Sequence, residues 1–158
     1  MQTNQHTTAM ASRLQEVFLD GTWIANTNYK DQIQKVNWEQ AIQKIENLNS
    51  IAALTYHINY YLAGLLDAFD SGELKISDKY SFDLPPVNDA ADWDLLVFKF
   101  LSNAEQFCKC IAMMTDDMLQ KPFIDEKYGT YQRNIEGVIE HSYYHLGQIT
   151  LINKLLQK

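Results

Sequence analysis

Apolar residues recur every three to four positions in four stretches of the chain, and no stretch shows a sustained alternation of period two. The pattern predicts an all-α protein. The first helix is expected from about Thr8 to Asp20, with Met10, Leu14, Val17 and Phe18 as its apolar stripe, and a restart through Trp23 to Ile33 after Gly21. The second is expected from about Trp38 to Phe69, where Ala41, Ile42, Ile45, Leu48, Ala52, Ile58, Leu62 and Leu65 keep helical spacing. The third runs from about Asp92 to Met114 and opens on an acidic first turn, which suits the positive end of the helix dipole. The fourth runs from about Tyr131 to Leu156, after Gly129.

Four helices imply a four-helix bundle, and the connections constrain its order. Between the second and third helices, Asp70 to Ala91 contains Ser71-Gly72, Pro85-Pro86 and a scatter of acidic residues, Asp70, Glu73, Asp78, Asp83 and Asp89. At about 20 residues it is much longer than the turn that joins antiparallel neighbours, and it can cross the length of a bundle. It reads as a solvated acidic loop in which Lys75-Ile76 and Tyr80-Ser81-Phe82 are expected to pair briefly as strand. A second connection, Thr115 to Thr130, holds Pro122 and Gly129. With no repeat, low-complexity tract or linker, residues 1–158 are expected to form one domain.

Composition agrees with a single apolar core: 158 residues, 46% hydrophobic and 21% charged. Charge narrows the partners. Twenty acidic residues against 13 basic ones give a net charge of −7, and Arg13 and Arg133 are the only arginines. Nucleic acids and anionic membranes reward clustered Lys and Arg, so neither is expected as a main partner. No apolar run approaches the ~20 residues that cross a bilayer, and the stretch Met1 to Ala9 is polar, so a cytoplasmic location is expected. Cys108 and Cys110, two apart on a helix, point to nearly opposite sides and are expected to be free thiols.

The candidate chemistry lies in the histidines. His141 and His145 are four apart on the fourth helix, which puts their Cβ atoms on one face, ~6 Å apart, where two imidazoles can share one divalent ion. They lie among Val138, Ser142, Ile149 and Ile152, the core side of that helix. The spacing alone carries little weight, because isolated core histidines are common. His57, in the middle of the second helix, supplies a third donor, and Ala53 and Gly64 on its stripe would leave room for a cavity at that level. His57 lies ~18 Å before the end of its helix and His141 ~15 Å after the start of its own, so the histidines meet if the two helices are antiparallel. In a plain up-down-up-down bundle they would be mismatched by ~14 Å. A metal site therefore requires a crossover, and the long second connection, with a reach of up to ~66 Å, can supply it. His6 falls in the polar N-terminal tail and joins no pattern.

The runs Leu54-Thr55-Tyr56-His57-Ile58-Asn59-Tyr60-Tyr61 and Glu140-His141-Ser142-Tyr143-Tyr144-His145-Leu146-Gly147-Gln148, with the element order and spacing of nearly the whole chain, resemble the DinB-like family of four-helix-bundle metalloproteins. The family also includes bacterial thiol-dependent transferases and isomerases. The resemblance implies an up-down-down-up bundle with the long crossover between helices 2 and 3, a bacterial protein, a divalent metal such as zinc or nickel on three histidines, and a homodimer. The chain has no recognisable thiol-cofactor or substrate motif outside the ligands, so the resemblance reaches the site more firmly than the reaction.

Three neutral His ligands with one open position would make a catalytic rather than a closed structural site. The first expectation is a metal-dependent S-transferase using a low-molecular-weight thiol. A metal-dependent hydrolase, or a non-enzymatic ligand-binding bundle stapled by a structural metal, are the alternatives. Gln148, one turn beyond His145, Tyr61 and Asn59 are candidate second-layer or pocket residues. Tyr60 and Tyr144 are further candidates to orient an imidazole, Trp23, Asn26 and Tyr29 resemble a pocket wall weakly, and Glu140 is expected to be a solvated carboxylate. No phosphate loop, GxSxG elbow or CxxC pair points to other chemistry.

Overall fold

The computed structural model describes residues 4–157 and is all-α. Its α-helices are α1 (Gln5–Gln15, continued by a π-helical turn at Glu16–Asp20), α2 (Tyr29–Gln34), α3 (Trp38–Ile42), α4 (Ile51–Ser71), α5 (Ala90–Met113), α6 (Asp116–Leu119) and α7 (Tyr131–Leu156). Among the described residues no strand forms, and the only β-type pairing is an isolated bridge between Pro122 and Thr130. The segment expected to pair as strand instead contains a 3₁₀ turn, Asp78–Tyr80. No described helix is long and apolar enough to cross a membrane.

The expected second helix is two helices. Gln43 leaves the helical region at ψ 126, Glu46 takes a positive φ of 49, and Ser50 starts α4 afresh by accepting a hydrogen bond from the Ala53 amide. The Asn47-Leu48-Asn49-Ser50 run favours turns and caps over helix interior, which outweighs the apolar spacing there. The restart after Gly21 also shortens, to α2, which begins at the cap Asn28. His6 is a residue of α1 rather than of a tail, with its amide bonded to Asp116 Oδ1. Of the polar start, residues 1–3 lie outside the described residues. Asp89 and Thr130 cap α5 and α7, close to the expected starts, by accepting from the Asp92 and Arg133 amides.

Contacts fix the directions of the long helices. Phe69 near the end of α4 lies 5.8 Å from Tyr131 at the start of α7, while His57 meets His141 and His145 further along, so α4 and α7 are antiparallel. Asn59 pairs with Asn103 and Phe69 with Phe107, so α4 and α5 run the same way. Residues 72–89 must therefore return along the molecule. α1 opposes α5: Phe18 touches Phe100, and the Thr7 amide bonds Asp116 just beyond the end of α5. Nearly all the buried apolar side chains form one continuous cluster, in which Phe18, Tyr29 and Phe100 pack ring against ring.

Candidate metal centre

His57, His141 and His145 converge, each offering a ring nitrogen within 4.8 Å of the other two, and together they could hold a metal ion. Nε2 of His141 lies 3.2 Å from Nε2 of His57 and 2.9 Å from Nε2 of His145. Two nitrogens bound to one ion at ~2.05 Å are ~2.9 Å apart at a right angle and ~3.3 Å apart at the tetrahedral angle, so these separations suit a shared ion.

The outer nitrogens of two of the rings face oxygen acceptors, which favours one tautomer. His145 Nδ1 lies 2.7 Å from Gln148 Oε1, and His57 Nδ1 lies 3.3 Å from the Ser81 carbonyl. Both partners accept, so each Nδ1 carries the proton and each Nε2 presents a lone pair inward. Phe82 stacks on His57 at 4.0 Å, nearly parallel, and Tyr61 stands edge-on to both His57 and His141 at 5.1 and 5.4 Å. Tyr61 donates to Asp78 Oδ1 at 2.8 Å. Burial, aided by that carboxylate, pushes its phenol up to about 12, so it remains a donor at neutral pH. Tyr60 accepts from the Ser77 amide and donates to its carbonyl, pinning the returning connection to α4.

Other candidates divide. Gln148 and Tyr61 reach the histidines, whereas Asn59 is engaged on α5, accepting from Asn103 Nδ2 at 2.8 Å. Tyr144 packs against His145 at 4.9 Å but is largely exposed, as is Trp23. Asn26 sits in a turn with positive φ, and Tyr29 is fully buried, donating to the Ser142 carbonyl at 2.7 Å. Glu140 pairs with Arg133 on the surface. Cys108 and Cys110 are free, and burial raises both thiols, Cys108 to about 11, so neither is an activated nucleophile at neutral pH. Ser81 and Phe82 had no periodic or motif signal in sequence, because they reach His57 from a connection folded back over it.

A cavity of about 700 Å³ opens beside His141, between α4, α7, the returning connection and residues 123–128. The room expected at Gly64 is filled: a Cβ there would overlap Ile76 Cγ2, so this glycine permits the connection's close approach rather than a void. Comparison with protein-family models, curated proteins and solved structures gives no match.

Burial lowers the pKa of all three histidines; the other imidazoles add to this at His57, which falls to about 4, and His145 adds to it at His141. Without metal, folding holds them neutral while the unfolded chain takes up protons below the ordinary value of about 6.5. The metal-free protein should therefore lose stability as pH falls from about 6.5 towards about 4. Melting curves across this range check it: the wild-type slope between pH 6.5 and 5 should exceed that of His57→Gln, and equal slopes would contradict it.

Proposed function

We propose that this chain is a DinB-like metalloprotein, a four-helix bundle of α1, α4, α5 and α7 in up-down-down-up order, and a metal-dependent thiol S-transferase of the bacterial cytoplasm that works as a homodimer. The observation that carries the reading is the convergence of three Nε2 atoms beside a cavity, with no carboxylate in the group among the described residues. The helix directions support the bundle order, and a zinc or nickel ion suits an all-imidazole donor set.

His57, His141 and His145 would hold the ion, with Ser81 and Gln148 orienting two of the rings. A bound divalent ion supplies Lewis acidity, which makes a neighbouring thiol acidic enough to ionise near pH 7. The protein's own cysteines are raised and lie outside the cluster, so the nucleophilic sulfur comes from a small molecule. In the transfer the thiol releases its proton to solvent, a carbon–sulfur bond forms, and the acceptor's leaving group departs with its electron pair. The cavity walls hold the acceptor, and Tyr61, its one O–H donated to Asp78, packs edge-on against two of the rings.

Asp78 also favours a second reading, a hydrolase, because it is the carboxylate lining the cavity with His141 and could take a proton from water. The discriminating experiment incubates metal-loaded protein with a low-molecular-weight thiol and an activated electrophile, and separately with ester substrates. Thioether product formed only with metal supports the transferase. Ester cleavage without thiol transfer, reduced at least about 100-fold in Asp78→Asn, supports the hydrolase. Metal binding with neither activity leaves the structural staple.

A further inference from the structure

Along α7, Arg133, Gly137 and His141 follow one another at intervals of four residues, so they lie on one face and all three border the cavity. The middle position has no side chain, and a Cβ placed on Gly137 would meet only Arg133 Nη1, at 3.9 Å, so the groove between the guanidinium and the imidazole is open. Across it, α4 presents Ile58, Leu62 and Leu65. In a chain with a net charge of −7 and only two arginines, this cavity is lined by Lys127 and Arg133 against a single carboxylate, Asp78, which is engaged by Tyr61. The ion pairs of both cations are exposed surface pairs, Arg133 with Glu140 at 3.2 Å and Lys127, which also lies over the Tyr128 ring, with Asp125 at 3.1 Å, and such pairs exchange readily for a ligand. At the other end Ser142 lines the cavity, and its Oγ is buried without a hydrogen-bond partner among the described residues.

We infer that the cavity binds an amphipathic carboxylate, its carboxylate on Arg133 and Lys127, its apolar body over Gly137 against α4, and its other, polar end beside Ser142 and His141. Eight residues of helix separate Arg133 from His141, a rise of about 12 Å, matching an extended chain of roughly eight to ten carbons or an aromatic acid of similar length. Arginine suits this end because its planar fork matches a carboxylate, and the apolar middle rejects a second charge. The inference deepens the proposed function by naming the acceptor class, and it rests on that reading for what lies at the His141 end. The carboxylate end stands on the cavity itself.

The test measures binding of octanoate, octan-1-ol and octylamine by calorimetry to metal-loaded and chelator-treated protein. Octanoate should bind about tenfold more tightly than the alcohol in both forms, and the amine most weakly. Arg133→Gln and Lys127→Gln should each erase much of that preference without changing alcohol binding. Gly137→Leu should abolish binding of both while leaving metal content unchanged. Equal affinity for acid and alcohol, or a preference that survives Arg133→Gln, overturns the inference. So does a preference that disappears on chelation, because the carboxylate would then sit at the histidines. A protein that binds no metal but keeps the Arg133-dependent preference refutes the metal-site reading and leaves the carboxylate site standing.

Discussion

Phe100→Ala is expected to destabilise the protein by about 3–5 kcal/mol, lowering its melting temperature by roughly 10 °C. Phe100 is fully buried where three elements meet: its ring lies 5.8 Å from Phe18 in an edge-on arrangement and 5.2 Å from Tyr29, which in turn lies 5.5 Å from Phe18. Truncation removes the ring and leaves a void that the π-helical turn, α2 and α5 can fill only by moving together. The effect should reach the histidines, because Tyr29 passes from this cluster to the Ser142 carbonyl, in the helical turn that joins His141 to His145. Phe98→Ala on the same helix is the control. Phe98 is 68% exposed, and its loss should change stability by no more than about 0.5 kcal/mol. Denaturant titration of the three proteins decides it, and equal midpoints for wild type and Phe100→Ala would remove this cluster from the centre of the core.

What sequence could reveal of the site follows from the range of each signal. His57, His141 and His145 were legible because helix rise and rotation are regular, so two faces and two heights could be compared before any packing was known. The same rule separates Tyr61 from Asn59. Tyr61, four residues after His57, shares its face, whereas Asn59, two residues after, is ~200° around the helix and turns to Asn103 on α5. The break between α3 and α4 was hidden because Ile45 and Leu48 keep the apolar rhythm across residues whose Asn and Ser side chains prefer to cap a helix. Phe82, Ser81 and Asp78 were beyond reach for another reason. They lie in a connection whose path depends on Gly64 admitting Ile76 and on Tyr60 holding Ser77, and neither contact leaves a periodic trace. The connection that appeared to be a solvated acidic loop is thus also one wall of the site.

Removing one imidazole should affect metal binding more than any other single change. His145→Ala is expected to retain less than about a tenth of the wild-type metal after dialysis, because only two of the three ligands remain. His57→Ala and His141→Ala should behave alike, and Gln148→Ala should weaken binding by about 10–100-fold, since it frees the ring that its Oε1 orients. His6→Ala should be indistinguishable from wild type, because His6 lies outside the cluster and its bond to Asp116 comes from the backbone. The fold should survive, because the Phe18, Tyr29 and Phe100 cluster is left intact, and each variant should melt at or a little below chelated wild type, since His57 and His145 are buried. Metal present at about a thousand times its dissociation constant adds about 4 kcal/mol to the wild type and nothing comparable to the variants. Elemental analysis and melting curves of protein prepared without an affinity tag decide the matter. A wild type lacking stoichiometric metal under metal-replete conditions refutes the metal centre, and a wild type that unfolds outright on chelation makes the ion a staple between α4 and α7 rather than part of a reaction.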